Sequence, residues 1–149
     1  MRILLVEDDD HKMNDIIDYI RTLNMTIEIS TARSVESGVQ SAIDNSYNLL
    51  LLDMTIPNFD ITEKSDGGKS YKNGGEIIVK ELLDEDIDFN CAVITQYETF
   101  NNETIDQIGL RIQRLCGKKY FGYVKYNTSN ESWKNDLKQM LENVESTLN

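Results

Sequence analysis

The chain has 149 residues, 40% of them apolar, and carries a formal net charge of −11. That length suits one domain with a real core, and no apolar run approaches the roughly 18 residues that cross a bilayer. The acidity argues against nucleic-acid binding by this chain, because such affinity rests largely on neutralised phosphates. Cys91 and Cys116 are its only cysteines. They lack any CxxC or Cys/His spacing, so reduced thiols in a cytoplasmic protein are expected.

The N-terminal stretch "MRILLVEDDD" meets acid where a signal-peptide cleavage site would fall, and it reads as a first strand over 2–6. Met13, Ile16, Ile17, Ile20 and Leu23 recur at helical spacing, which predicts an amphipathic helix over 11–23. "TIEIS" (26–30) alternates like a strand, and Ser34 can cap a helix burying Val35, Val39, Ala42 and Ile43. Leu49–Leu52 is a short apolar run that ends in Asp53 and, at Pro57, the only proline. It reads as a strand buried on both faces. Residues 58–73, "NFDITEKSDGGKSYKN", carry mixed charge and few apolar positions and read as an inserted loop.

"GEIIVKELL" (75–83) is a helix, "CAVIT" (91–95) a buried strand, and Ile105, Ile108, Ile112 and Leu115 mark a further helix. "YFGYVKY" (120–126) is the last strand. "TSNE" (128–131) has the capping-box pattern and opens a final helix with Trp133, Leu137, Met140, Leu141 and Val144. Strand and helix alternate five times, which implies a parallel sheet with right-handed crossovers and helices on both faces.

On such a sheet the polar residues at the strand ends share one edge. The first strand ends in Glu7, Asp8, Asp9 and Asp10, the third in Asp53, the fourth in Thr95 and the fifth in Lys125. Clustered carboxylates repel and invite a hard cation with oxygen ligands, such as Mg²⁺. A carboxylate is also a nucleophile toward phosphorus, and phosphoryl transfer asks mainly for positioning and charge neutralisation.

With "ILLVEDDD", "LLLLDMTIP", "GGEIIVKELL", "AVIT" and "GYVKY" in order, the chain resembles the receiver domain of two-component response regulators over essentially its whole length. The resemblance implies a flavodoxin-like, doubly wound α/β fold: a five-stranded parallel sheet in the order 2-1-3-4-5, forming a single domain over 1–149. It assigns Asp53 as phosphoacceptor, Glu7 and Asp8 as the acidic pair, and Asp8, Asp53 and the Thr55 carbonyl as direct Mg²⁺ ligands, with Glu7 acting through water. Thr95 matches the switch hydroxyl and Lys125 the lysine that meets the phosphoryl group. The implied partners are a sensor histidine kinase or phosphotransfer protein as donor and a downstream protein as target, with no nucleic acid and no membrane.

The sequence departs from that family where Tyr126 replaces a proline after the lysine and Gln96 replaces a small residue after the switch hydroxyl. Gly122 stands where an aromatic is usual, leaving Phe121 and Tyr123 as candidates for the switch ring. Lys118 and Lys119 are rivals to Lys125, but they precede the strand and fall at the opposite edge. His11 is expected to be a solvated first-turn residue. "GGKS" (67–70) lacks the upstream glycine and strand of a phosphate-binding loop. Two other readings stand beside the receiver, which is not read as an enzyme. One is a phosphorylation-independent interaction module on the same fold. The other is an Asp-nucleophile phosphatase, which usually has a second aspartate where this chain has Thr55. Residues 58–73 leave the edge just after Asp53 and are expected near the phosphorylation pocket as a partner-contact surface.

Overall fold

The computed structural model describes residues 1–64, 66–68, 70–71, 73–96, 99–100 and 102–148. Its parallel strands are β1 (Arg2–Val6), β2 (Glu28–Ala32), β3 (Leu49–Leu52), β4 (Cys91–Thr95) and β5 (Tyr120–Lys125), hydrogen-bonded in the order β2-β1-β3-β4-β5. The helices α1 (Asp10–Thr22), α2 (Val35–Asp44), α3 (Gly74–Asp84), α4 (Ile105–Cys116) and α5 (Ser132–Ser146) connect or follow them. This is the expected flavodoxin-like arrangement.

Because strand side chains alternate, the sheet buries two separate layers. Leu4, Val6, Leu50, Leu52, Cys91 and Val93 pack with α2, α3 and α4. Ile3, Leu5, Leu49, Leu51, Ala92 and Ile94 pack with α1 and α5, where Trp133 and Leu137 join them. The four leucines of β3 are therefore divided between both layers, which explains why the segment shows no polar face.

Local chemistry sets most boundaries. Ser34 caps α2 and shares a reciprocal capping box with Ser37. Thr104 and Gln107 form the same device on α4. The T-S-N-E segment does not: α5 starts at Ser132, Glu131 makes no capping bond, and Asn127 and Asn130 instead close local turns onto Ser129 and Ser132. β2 begins two residues later than the alternation of 26–30 implies, at Glu28, whose N–H donates to the Met1 carbonyl. Pairing with β1, not hydrophobic pattern, fixes that edge strand. Ile43 and Leu115, expected on buried stripes, are exposed because each lies at the margin of its helix's apolar face.

Two short antiparallel ribbons have no counterpart in the sequence reading. Ile56–Pro57 pairs with Ser70–Tyr71, and Thr99–Phe100 pairs with Glu103–Thr104. Two-residue strands are too short to carry a period. The first ribbon closes the 58–73 segment, which folds back on the start of α2. There Asp60 accepts hydrogen bonds from Ser34 (2.6 Å) and Ser37 (2.8 Å). Phe59 and Ile61 remain exposed on it. Among the described residues no helix is long and apolar enough to cross a membrane.

On the other side, Arg111 of α4 makes paired 2.8 Å bonds to both oxygens of Glu76 on α3 and also pairs with Glu103. Hydrogen bonding from Arg111 holds the buried Glu76 carboxyl below its ordinary value. A carboxylate depressed in the folded state adds stability above its unfolded pKa and loses it as pH falls through the folded one. Glu76→Gln should therefore be less stable than the parent at pH 7 in urea denaturation. The difference should shrink steadily as the pH falls below the ordinary carboxylate range.

Candidate functional site

Asp53 follows β3 directly, and its N–H still donates to the Val6 carbonyl at 3.0 Å, so the strand geometry carries the residue to the sheet edge. The N-terminus of α3 then presses against it from behind. A Cβ on Gly75 would lie 2.9 Å from the Asp53 carbonyl oxygen, and one on Gly74 would lie 2.4 Å from Ile56 Cγ1. The Gly74 N–H donates to the Met54 carbonyl at 2.6 Å. The glycine pair thus lets helix backbone approach strand backbone closely enough to fix where the Asp53 carboxylate stands.

Glu7 comes from the end of β1. One of its carboxylate oxygens accepts the N–H groups of Asp8 (3.2 Å) and Asp9 (3.1 Å). The other points inward beside Asp53. Ligand atoms of Glu7, Asp8 and Asp53 all lie within 4.8 Å of one another, with Glu7 and Asp53 buried and Asp8 half-buried. The Asp8 segment is fastened by Arg33, which donates to the Asp8 carbonyl (3.1 Å) and pairs with Asp10. Burial, reinforced by the Asp53 charge, pushes the Glu7 carboxyl up to about 7 against the opposing pull of Lys12. The same two causes, burial first, raise Asp8.

The residue that completes this cluster is Lys12, from the first turn of α1. Its ammonium lies 2.7 Å from Glu7 Oε2 and 3.0 Å from Asp53 Oδ1, and it donates to the Ile94 carbonyl at 2.9 Å. Lys12 is only 3% exposed. Among the described residues the two carboxylate oxygens accept no other hydrogen bond. Two charged carboxylates within 4.8 Å of each other would repel by about 3 kcal/mol or more at an effective dielectric near 20, and the Lys12 ammonium among them offsets that repulsion. The sequence reading passed over Lys12, although a signal was there. Lys12, Ile16 and Ile20 stand at i, i+4 and i+8, so the lysine starts the buried stripe of α1.

A cavity of about 290 Å³ opens above the cluster, lined by Glu7, Asp8, Asp9, Lys12, Asp53, Thr55 and Gln96. Those residues bring together the acidic pair, the central aspartate and the residue whose carbonyl was expected as a ligand. Among the described residues none from 58–73 lines it. Thr95 is fully buried at the end of β4, and Lys125 is its register partner on β5. Lys125 is exposed and does not line the cavity. A bulge between Tyr120 and Tyr123, with Gly122 at φ 98°, sets this alternation on β5.

The bulge also separates the two candidate switch rings. Phe121 packs with the α1/α5 layer, whereas Tyr123 lies on the other face and donates from its hydroxyl to Asp106 at the start of α4 (2.6 Å). Tyr126 does what a proline could not, because its N–H donates to the Thr95 carbonyl at 2.9 Å. Its buried ring lies 5.1 Å from Trp133 and 5.9 Å from the Lys12 ammonium. Lys118 and Lys119 sit in a short 3-10 turn before β5, at the opposite edge, and Lys119 pairs with Asp88. His11 is solvated, while Asp9 caps α1 by accepting the Lys12 N–H.

No protein-family model matches the sequence. The chain is 24% identical over 143 residues to the Detocs response regulatory protein DtcB of Enterobacter cloacae, covering 92% of this chain and 95% of the relative. Among solved structures it is similar to a response regulator receiver protein from Pseudoalteromonas atlantica, at a TM-score of 0.68 and 11% identity with full coverage of both chains. It is also similar to a response regulator protein from Thermotoga maritima in complex with Mg²⁺-BeF, at a TM-score of 0.58 and 16% identity, covering 93% and 97%. The fold is that of a response-regulator receiver domain.

Since the carboxylate of Asp53 depends on the close backbone contact at Gly75, Gly75→Ala should destabilise the protein by about 1–3 kcal/mol through overpacking. Denaturant titration measures that loss. The variant should also bind divalent cations more weakly than its residual stability alone explains.

Proposed function

We propose that this chain is a phosphorelay signal receiver whose Asp53 accepts a phosphoryl group from a phosphohistidine donor. The observation that carries the reading is the position of Asp53. It is a buried carboxylate at the carboxyl end of the central strand, facing a small open cavity and two further carboxylates. In open α/β sheets that edge is where ligands bind.

The transfer consumes no external reagent. A carboxylate oxygen of Asp53 attacks phosphorus, the P–N bond of the phosphoimidazole breaks, and the imidazole nitrogen leaves with its electron pair and takes a proton from solvent. Mg²⁺ held by Glu7, Asp8, Asp53 and the Thr55 carbonyl would neutralise charge on the transferred group. The donor set suits it, being all oxygen, multiply anionic and open on one side to water. Thr95 and Lys125 are register partners at the ends of β4 and β5, and in this reading their hydroxyl and ammonium would meet the phosphoryl oxygens. The phosphorylated and free forms would then differ in how they bind a downstream protein, by shifting an equilibrium between two conformations. The donor would be a sensor histidine kinase or phosphotransfer protein, and the setting cytoplasmic. The description of the Enterobacter relative as a response regulatory protein and the receiver fold of the structural neighbours support this reading.

One observation favours a second reading. Lys12 already neutralises the carboxylates, as it would in an interaction module that needs neither metal nor phosphoryl group. Exposure to acetyl phosphate, followed by intact mass measurement, separates the two. The receiver should gain one phosphoryl group with Mg²⁺ and none in EDTA, and Asp53→Asn should gain none while keeping its fold. A parent protein that stays unlabelled with Mg²⁺ points to the interaction module, and label persisting in Asp53→Asn removes Asp53 from its role.

A further inference from the structure

We infer that Lys12 is the resident cation of this site and that a divalent ion enters only by displacing its ammonium. The inference rests on the receiver reading, since it concerns the metal that reading requires. The ammonium stands between Glu7 and Asp53 at 2.7 and 3.0 Å, on the oxygens that would hold the metal. A divalent cation on Glu7, Asp8 and Asp53 would sit a few ångströms from that positive charge, within a buried cluster where solvent screens little. Both cations cannot be held there together at low cost. The empty cluster is also costly, so one cation or the other is always favoured.

Lys12 is suited to leaving. Its charge is carried on a flexible four-carbon stem, and the residue belongs to the wall of the open cavity rather than to a sealed interior. Its backbone is held independently, because the Lys12 N–H bonds the Asp9 cap at 3.0 Å whatever the side chain does. Displacement has a second consequence. The ammonium also binds the Ile94 carbonyl, next to Thr95, so it ties the ends of β1, β3 and β4 through a single group. Metal entry therefore releases a tether on the segment that carries Thr95. Lys12 is a positioning residue on this account, since it acts through the carboxylates it holds.

The test is Mg²⁺ binding by calorimetry, without phosphodonor, in the parent and in Lys12→Met and Lys12→Gln. Loss of the competing charge should tighten Mg²⁺ binding by about tenfold or more in both variants. Amine acetylation read by peptide mass spectrometry supplies a measurement on the unaltered chain. Lys12 should be protected without Mg²⁺ and become modified as Mg²⁺ saturates the site. Any one of three results overturns the inference: equal affinity in parent and variants, no Mg²⁺ binding by any of them, or Lys12 protection that Mg²⁺ leaves unchanged. Failure of the receiver reading is read separately, as absence of acetyl phosphate labelling at Asp53 of the parent.

Discussion

Glu7, Asp8 and Asp53 converge because parallel pairing brings the ends of two strands to one point, and a cation lies among them. Parallel pairing aligns the ends of β1 and β3, so Val6 and Leu52 are register partners and the acids that follow them are neighbours. Removing one partner from a buried ion pair typically costs about 3–5 kcal/mol, because the other charge is left unpaired. Lys12 therefore offsets much of the cost of gathering buried carboxylates at this edge of the sheet. The rest of the site is arranged around that requirement: Asp9 fixes the start of α1, Arg33 fastens the acidic turn, and the glycine pair of α3 sets the depth of Asp53.

Tyr126, which stands where the receiver pattern has proline, adds contacts at the same edge. With Tyr126 in place of proline, the backbone after β5 donates one more hydrogen bond, to Thr95, and the ring fills the space between Lys12 and Trp133. The Tyr126 hydroxyl reaches Asp15 of α1 as well, so one side chain joins β5, α1 and α5.

Under the proposed exchange of Lys12 for a divalent ion, this edge would be where a conformational signal starts. The tether from Lys12 to Ile94 lies beside Thr95, and the Tyr123 hydroxyl donates to Asp106 of the neighbouring helix. Across the molecule, Arg111 couples α3 to α4 through Glu76. The helices nearest the site are thus joined by a few polar contacts laid over an apolar layer. The 58–73 segment stands apart from this set, since Asp60 anchors it to the capping serines of α2 and leaves Phe59 and Ile61 turned outward.

By itself the sequence determined the alternation of strands and helices, the parallel sheet and the edge on which the acids gather. These follow from hydrophobic period and chain connectivity, which are local properties. It also singled out Glu7, Asp8 and Asp53, because they follow strands whose ends were legible, whereas Thr55 came only from the resemblance to receiver domains. Helix and strand limits were less secure in three places: two-residue ribbons too short to carry a period, an edge strand whose register its neighbour sets, and a T-S-N-E segment that turns on its asparagines instead of capping. Only the tertiary structure decided which cation stands among the carboxylates. Lys125 was singled out by resemblance and by its place at the end of β5, and the bulge at Gly122 that sets its register with Thr95 is a property of pairing. Lys12 reads as one charge among many at a helix start. Its meaning comes from the side of α1 that the sheet covers, since burial beside two carboxylates turns a solvated charge into the counterion of the site.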